Sequence, residues 1–368
     1  MSPVCTLATG NWQLVTDLQR LIIRAPNPLG DAIMALPAMA AVRAAMKGRH
    51  LVVAAPPSVA PLFQEITGVA PDQVLVVEKS REAAQLRELR ADAVLLFTNS
   101  FRTAWVSRQA AVAQRWGYRA HGRSLLLTRA IVKPRQRVHQ AEFYLHLVRS
   151  LDLLAAAADE QPHLVPDMAG VQPTIRITAA TRARAATFLA DHGVDMSKPV
   201  VGLAPGAAYG HAKRWPPDRV AQLVTRLDAA GVRCVLVGAA GDRDAGREIE
   251  STLPAGISVV NVIGRTDLRL LAGLLASCHA FVANDSGAMH LAAATGVPVT
   301  AIFGPTDERV TAPLGDHDVI LQQVFCRPCM LRDCPIDHRC MRRISVDSVY
   351  QSVTRRLAAR GGFAGLRA

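Results

Sequence analysis

Aromatic residues are scarce in this 368-residue chain, only 5%, and no cluster alternates them with basic side chains. That scarcity argues against a stacking platform for nucleic acid, so no nucleic-acid partner is expected. Long apolar runs are also missing. No stretch of 18 or more apolar residues occurs, which excludes an ordinary membrane-spanning helix. The N-terminus has no basic start followed by an apolar core, so no secretory signal is read there and a cytoplasmic location is expected. Two nucleotide-binding signatures are absent as well. The Gly-x4-Gly-Lys-Ser/Thr order of a P-loop ATPase does not occur. The turn after the first apolar run, Asn27 to Asp31, is not the Gly-x-Gly-x-x-Gly of a dinucleotide-binding oxidoreductase.

What is present points elsewhere. Half of the residues are hydrophobic, enough for two domains of ordinary size. The formal net charge is +12, which favours an anionic membrane surface or a phosphate-rich substrate as partner. Seven cysteines occur, four of them in the run Cys326-x2-Cys329-x4-Cys334-x5-Cys340. Four thiolates can close a tetrahedral zinc site, with His338 a possible substitute ligand, but the spacing is not a standard pair of C-x2-C knuckles. Structural zinc, free or buried thiols and disulfides all stay open, and a cytoplasmic location disfavours the last.

Apolar runs alternate with helix-period segments along the chain, the rhythm of parallel sheets covered by helices. Strands are expected at 20–25, 50–55, 73–78 and 93–98. Helices are expected at 30–47, 61–67, 81–90, 103–114 and 138–154, with Pro37 bending the first. The pattern fades over 155–178, where Pro162, Pro166, Gly170 and Pro173 fall. A second alternating unit follows, with strands at 200–204, 234–237, 259–262, 280–283 and 299–303, and a last helix at 346–360. The expected organisation is an extension at 1–19, a Rossmann-like domain at 20–165, a linker at 166–178, a second at 179–345, and a helix and tail at 346–368. Two doubly wound α/β domains facing across a cleft is the simplest architecture, with ligands at the carboxyl ends of strands.

Four loops there carry chemistry. Pro26-Asn27-Pro28-Leu29-Gly30-Asp31 makes a rigid turn that sets Asp31 at a helix start, either as a general base or as an acid complementing the helix dipole. Ala204 to Pro216 brings two glycines, Lys213 and Arg214. Val237 to Asp244 ends a strand with Asp242, a candidate for nucleotide ribose hydroxyls, and Asp244 behind it. Asn284-Asp285-Ser286-Gly287 joins a strand to a helix, so Ser286 is expected to cap that helix and its free N–H groups to attract an anion.

These segments together resemble a known family. Asn27 to Pro37, Pro205 to Pro216, Asn284 to His290, and Phe303-Gly304-Pro305-Thr306 are similar, in this order, to motifs of the bacterial ADP-heptose:lipopolysaccharide heptosyltransferases, glycosyltransferase family 9. The heptosyltransferase II group is the nearest fit. Ser100-Phe101-Arg102, Gly117-Tyr118-Arg119 and the cysteine-rich 326–343 also look familial. The resemblance implies a GT-B fold and an inverting, metal-independent transfer of heptose from ADP-L-glycero-D-manno-heptose to the lipopolysaccharide inner core, with no cofactor. It implies Asp31 as the base and Lys213 as the group that neutralises the departing diphosphate. Asp285, Ser286 and Gly287 would start the helix that holds that diphosphate, with His290 one turn on and Asp242 as the ribose acid. Arg102, Arg119 and Arg123 would grip the anionic acceptor. The positive charge favours peripheral contact with an anionic membrane, at the inner face of the inner membrane. A related transferase with another heptose donor or acceptor, and a non-catalytic sugar-nucleotide-binding protein, are the alternatives.

Overall fold

The computed structural model describes residues 18–151, 172–207 and 210–359, and the chain divides into two compact units between Pro173 and Thr174. Residues 166–171 of the segment read as a linker, much of the N-terminal extension, the end of the 138–154 helix and the tail beyond 359 lie outside the described residues.

The first unit runs β1 (Arg20–Arg24), α1 (Leu29–Met34), α2 (Leu36–Ala45), β2 (His50–Ala55), β3 (Gln73–Val76), α3 (Glu82–Glu88), β4 (Ala93–Leu96), α4 (Phe101–Gln109), β5 (Gln114–Tyr118), β6 (Arg129–Ile131) and α5 (Gln140–Arg149). Its sheet has the order β3-β2-β1-β4-β5-β6 with every pair parallel. β4 is wholly apolar, and β1 is apolar over Leu21–Ile23 between its two terminal arginines, because both faces are covered, as a central parallel strand requires.

The second unit runs α6 (Ala179–Asp191), β7 (Val200–Ala204), α7 (Pro217–Ala229), β8 (Arg233–Leu236), α8 (Arg243–Thr252), β9 (Val260–Asn261), α9 (Leu268–Ala276), β10 (Ala280–Asn284), α10 (Gly287–Ala294), β11 (Val299–Phe303), α11 (Glu308–Thr311), β12 (His317–Leu321), α12 (Arg339–Arg342) and α13 (Val346–Ala359). The sheet order β9-β8-β7-β10-β11-β12 repeats that of the first unit, again all parallel. Its core joins Leu203, Leu223, Val224, Leu236 and Val282 to Val349, Val353 and Leu357 of α13, so the last helix is part of this unit's packing.

Both sheets change winding direction at their centre, between β1 and β4 and between β7 and β10. In open α/β sheets that is where loops diverge and leave a crevice at the carboxyl ends of the strands. Each of these four strand ends carries a loop singled out below.

The structure departs from the sequence reading at several elements. The helix expected over 61–67 is a single 3-10 turn, Ala60–Gln64, followed by a short strand, Ile66–Thr67. The helix expected over 30–47 is two helices broken at Ala35. Pro37 has no N–H to give, and its ring would meet the carbonyl four residues back, so it starts a new helix as that helix's second residue. The helix expected to reach 114 stops at Gln109, and Gln114 opens β5. Strands β5, β6 and β12 mix polar and apolar residues at the far side of each sheet, and this hid them.

Packing at the centre of the second sheet is tight at Gly202 on β7. A Cβ there would lie 2.8 Å from the Phe281 ring and 3.1 Å from the Cys278 sulfur. Phe281 is fully buried and has nowhere to retreat. Gly202→Ala should therefore destabilise the second unit by about 1–3 kcal/mol, read as a lower urea midpoint; an unchanged midpoint would contradict this packing.

Candidate active site

The second unit builds its site around a buried asparagine. Asn284 ends β10 and is 2% exposed. Its side-chain amide donates to the carbonyls of Pro205 (2.8 Å) and Gly206 (3.3 Å), and its oxygen accepts the Trp215 N–H at 3.1 Å. One side chain thus closes both ends of the loop that follows β7. Trp215 is itself buried and donates through its ring N–H to the Ile344 carbonyl at 3.2 Å. These bonds hold Lys213 in place.

Lys213 Nζ lies 2.6 Å from Asp285 Oδ2, with the two side chains only 11% and 7% exposed. Taking two charges this far from water costs several kcal/mol per ion, and their attraction roughly offsets that. The pair is a poor way to stabilise a fold and a good way to fix a cation. Directly after it, Ser286 precedes α10, whose first N–H groups and positive dipole end start two residues from Asp285. The expected cap is not made. Ser286 is extended (φ −153°, ψ 166°), its hydroxyl accepts no bond from the helix, and the oxygen is buried without a partner. Thr306 Oγ1, after β11, and Arg214 Nε, after β7, are likewise buried and unpartnered. Orphaned groups of this kind cost about 1–3 kcal/mol each. Three of them at the carboxyl ends of three neighbouring strands match a site that a polar, anionic ligand completes. Gly287 begins α10, and His290 lies at the end of its first turn, buried.

Asp242 is held differently. Its carboxylate lies against Gly206, where a Cβ would overlap it. It accepts the Ala239 N–H at 3.2 Å and pairs with Arg214 at 3.4 Å. Asp242 and Asp244 have the spacing of a metal-binding Asp-x-Asp, but Asp244 pairs with Arg247, so the two carboxylates answer to different arginines.

The cysteine-rich segment braces this site, a role the sequence reading did not contain. Arg327 donates to the carbonyls of Gly304 and Thr306 and pairs with Glu308. The Met330 N–H reaches the Pro305 carbonyl at 3.0 Å. From the other side, the Ala212 N–H donates to Arg332 at 2.9 Å and His338 Nε2 contacts the Ala212 carbonyl at 2.7 Å. Cys326, Cys329, Cys334 and Cys340 are free thiols. Burial and the three neighbouring thiols push the Cys340 thiol up. Among the described residues no three His, Cys, Asp or Glu side chains form a metal-binding group.

In the first unit, Asp31 sits in the first turn of α1, half-buried. The Tyr144 hydroxyl of α5 hydrogen-bonds to it, and burial together with the Asp31 charge raises the tyrosine well above its usual range. Tyr144 was not legible as a site residue, because on an amphipathic helix it reads as core. The loop before Asp31 is pinned by Arg24 at the end of β1. Arg24 pairs with buried Glu82 at 2.7 Å and donates to the Ala25 carbonyl at 2.7 Å and to Asn27 Oδ1 at 3.1 Å.

Two of the three arginines assigned to acceptor binding are committed elsewhere. Arg102 donates to Glu82 and to the Lys79 carbonyl. Arg123 is fully buried and donates to the carbonyls of Tyr118 (2.8 Å) and Thr98 (2.6 Å), and burial pushes its guanidinium down to about 10. It shapes the loop after β4 and is sealed from direct contact with a large ligand. Arg119 is exposed.

Comparison with known proteins adds the remaining finding. A family model described as glycosyltransferase family 9 (heptosyltransferase) matches residues 80–339. Lipopolysaccharide heptosyltransferase 2 of Salmonella typhimurium is 30% identical over 317 residues, 83% of this chain and 88% of that protein. Lipooligosaccharide heptosyltransferase 2 of Haemophilus influenzae is 32% identical over 246 residues, 66% of this chain and 69% of that protein. The solved structure of E. coli ADP-heptose lps heptosyltransferase II is similar with a TM-score of 0.79 at 26% identity, covering 94% of this chain and 100% of that one. The likeness spans both units, which are the two Rossmann-like domains of a GT-B fold.

Glu82 gives the scaffold a pH signature. Burial alone would raise its carboxyl, but the Arg24 and Arg102 guanidiniums outweigh that and hold it below the ordinary 4.5. A depressed native value means the stabilisation is complete above the unfolded value and is lost as pH falls through the native one. Stability of the first unit should therefore fall as pH drops below about 4.5, and Glu82→Gln should flatten that part of the profile while lowering stability at pH 7. Denaturant midpoints between pH 3 and 7 test this; parallel profiles for parent and variant would contradict it.

Proposed function

The chain belongs to glycosyltransferase family 9, the heptosyltransferases, and from that premise we propose that it moves heptose from ADP-heptose to the inner core of lipopolysaccharide by a single inverting displacement without a metal ion. An acceptor hydroxyl oxygen attacks the anomeric carbon of the donor heptose. The bond from that carbon to the diphosphate oxygen breaks, and its electron pair leaves with ADP. The acceptor proton passes to the Asp31 carboxylate.

The observation that carries this reading is the Lys213–Asp285 pair at 2.6 Å beside the start of α10. A fixed ammonium and a row of backbone N–H groups are the donors a departing diphosphate needs. They supply its charge relief with no rearrangement at the moment of reaction. The buried Ser286 hydroxyl beside them supports the same assignment, since it has a bond to give. Asp242 is the ribose acid on this reading, with Gly206 allowing the close approach. For Asp31, the Tyr144 hydroxyl supports a positioned carboxylate, holding one oxygen and leaving the other to take a proton. The acceptor-binding role is left to Arg119, with Arg102 and Arg123 shaping the surrounding loops.

ADP release from ADP-heptose, with heptose-deficient lipopolysaccharide as acceptor, tests the proposal. Release should depend on the acceptor and survive EDTA. Asp31→Asn should lower turnover by about 10²–10⁴-fold while donor affinity stays within about twofold. Loss of parent activity in EDTA would overturn metal independence. Full turnover by Asp31→Asn would overturn the base assignment, and absence of release with donor bound would point to another acceptor or a binding protein.

A further inference from the structure

Helix α4 is built inside out. Its buried side is small: Thr103, Ala104, Val106 and Ser107. Its two largest apolar side chains, Phe101 and Trp105, are 48% and 45% exposed and stack on each other with ring centroids 6.5 Å apart. They are four residues apart and Arg108 is three further on, so the three form one stripe on the solvent face of the helix. Beside it, the single turn Arg123–Leu126 packs on α4 and leaves Leu125 90% exposed. Arg123 ties the two together, its guanidinium reaching the carbonyl of Ser100, the residue before Phe101. An exposed aromatic pair on a helix whose packed turn also exposes a leucine is apolar surface that solvent alone does not explain.

The chain segment that carries this patch has charge of one sign. Between Asp92 and Glu142 the chain has no aspartate or glutamate, but eight arginines and Lys133. Several of those arginines are used inside the fold, yet Arg108 and Arg119 are exposed. Carboxylates that would repel an anionic surface are missing from the whole segment. A protein partner would be expected to pair mixed charges, and a carbohydrate has no use for an exposed leucine. Rings at headgroup depth with arginines beside them are the arrangement that binds an anionic bilayer from one side.

We propose that the Phe101–Trp105–Leu125 patch, with Arg108 on the same helical stripe, is the surface by which this protein docks on an anionic phospholipid bilayer. The inference rests on the reading of the acceptor as a lipid-linked saccharide, and it names the face that meets the lipid. Docking would bring a membrane-held acceptor to the first unit without any membrane-spanning element, and no helix among the described residues is long and apolar enough to cross a membrane.

The test uses the full chain and vesicles without donor or acceptor, so it is independent of catalysis. The parent should co-sediment with phosphatidylcholine vesicles carrying 30–40% phosphatidylglycerol (roughly the anionic fraction that gives a strong surface potential), and less so with pure phosphatidylcholine or at raised salt. Phe101→Ser and Trp105→Ser should each weaken partitioning by about tenfold, the scale of losing one buried ring. Their melting temperatures should match the parent, since both side chains are exposed. In a Trp12→Phe background, Trp105 should be quenched by brominated lipid, and adding Trp105→Phe should leave binding but remove that quenching, because the two remaining tryptophans, Trp116 and Trp215, are buried. Turnover of a soluble, deacylated acceptor should stay at the parent level in both serine variants. Parent-like vesicle binding by the double variant, or absence of vesicle binding by the parent, would overturn the proposal. So would a single-stranded oligonucleotide that displaces the protein from vesicles through the same residues.

Discussion

Everything in the second unit is arranged to keep one ammonium where water would not hold it. Lys213 sits 2.6 Å from Asp285 with little exposure on either side, a pairing whose desolvation cost offsets much of its attraction. Such a pair survives only if the surrounding backbone leaves it no alternative. Asn284 provides that constraint, binding the loop after β7 at two carbonyls and at the Trp215 N–H. The segment around the four cysteines adds a second brace, gripping Ala212 on one side and Gly304 to Thr306 on the other. The Ser286 and Thr306 hydroxyls and Arg214 Nε stay buried without partners in the loops this framework holds.

The first unit uses a different device for the same end. Its critical loop is short, and two prolines already restrict it. Arg24 then fixes the loop from below through the Ala25 carbonyl and Asn27, while buried Glu82 holds Arg24 and the partly exposed Arg102 together. Asp31 is thereby carried on a rigid turn and meets Tyr144 from α5. In both units a buried charge is matched by a partner, and the adjoining loop is then held through its backbone carbonyls. The residues that matter are thus oriented before any ligand arrives, which is where positioned groups gain their effect.

Much of this was legible in the chain itself. The central strands are continuous apolar runs, and the loops at their ends carry Asp31, Lys213 and Asp285 in an order that leaves few choices of fold. The rest was hidden for physical reasons. Pro37 announced a bend, and whether it bends or divides a helix depends on packing that sequence does not display. Strand β5, with glutamine, arginine and tryptophan in five residues, has neither alternation nor an apolar run to reveal it. Arginine is the hardest residue to place from sequence. Arg102 and Arg123 looked like surface charge, yet their forked donors suit the carbonyls and carboxylate that collect at strand ends, and the fold spends them there. Ser286 was misjudged because a serine before a helix usually caps it, and the extended backbone here turns its hydroxyl away from the helix N–H groups. Tyr144 was invisible because its partner is 113 positions away in the chain.

The central claim is that Asp285 acts on the donor's diphosphate through Lys213, as one unit. A double-mutant cycle on ADP affinity, measured by titration calorimetry with Lys213→Met, Asp285→Asn and the double variant, tests it most directly. ADP carries no heptose, so any contact of Asp285 with the sugar is left out. The account predicts that Lys213→Met weakens ADP by about 10–100-fold, the scale of a lost charge-assisted bond, and that adding Asp285→Asn weakens it no further. Losses that multiply across the two sites, or ADP binding unchanged by Lys213→Met, would contradict it.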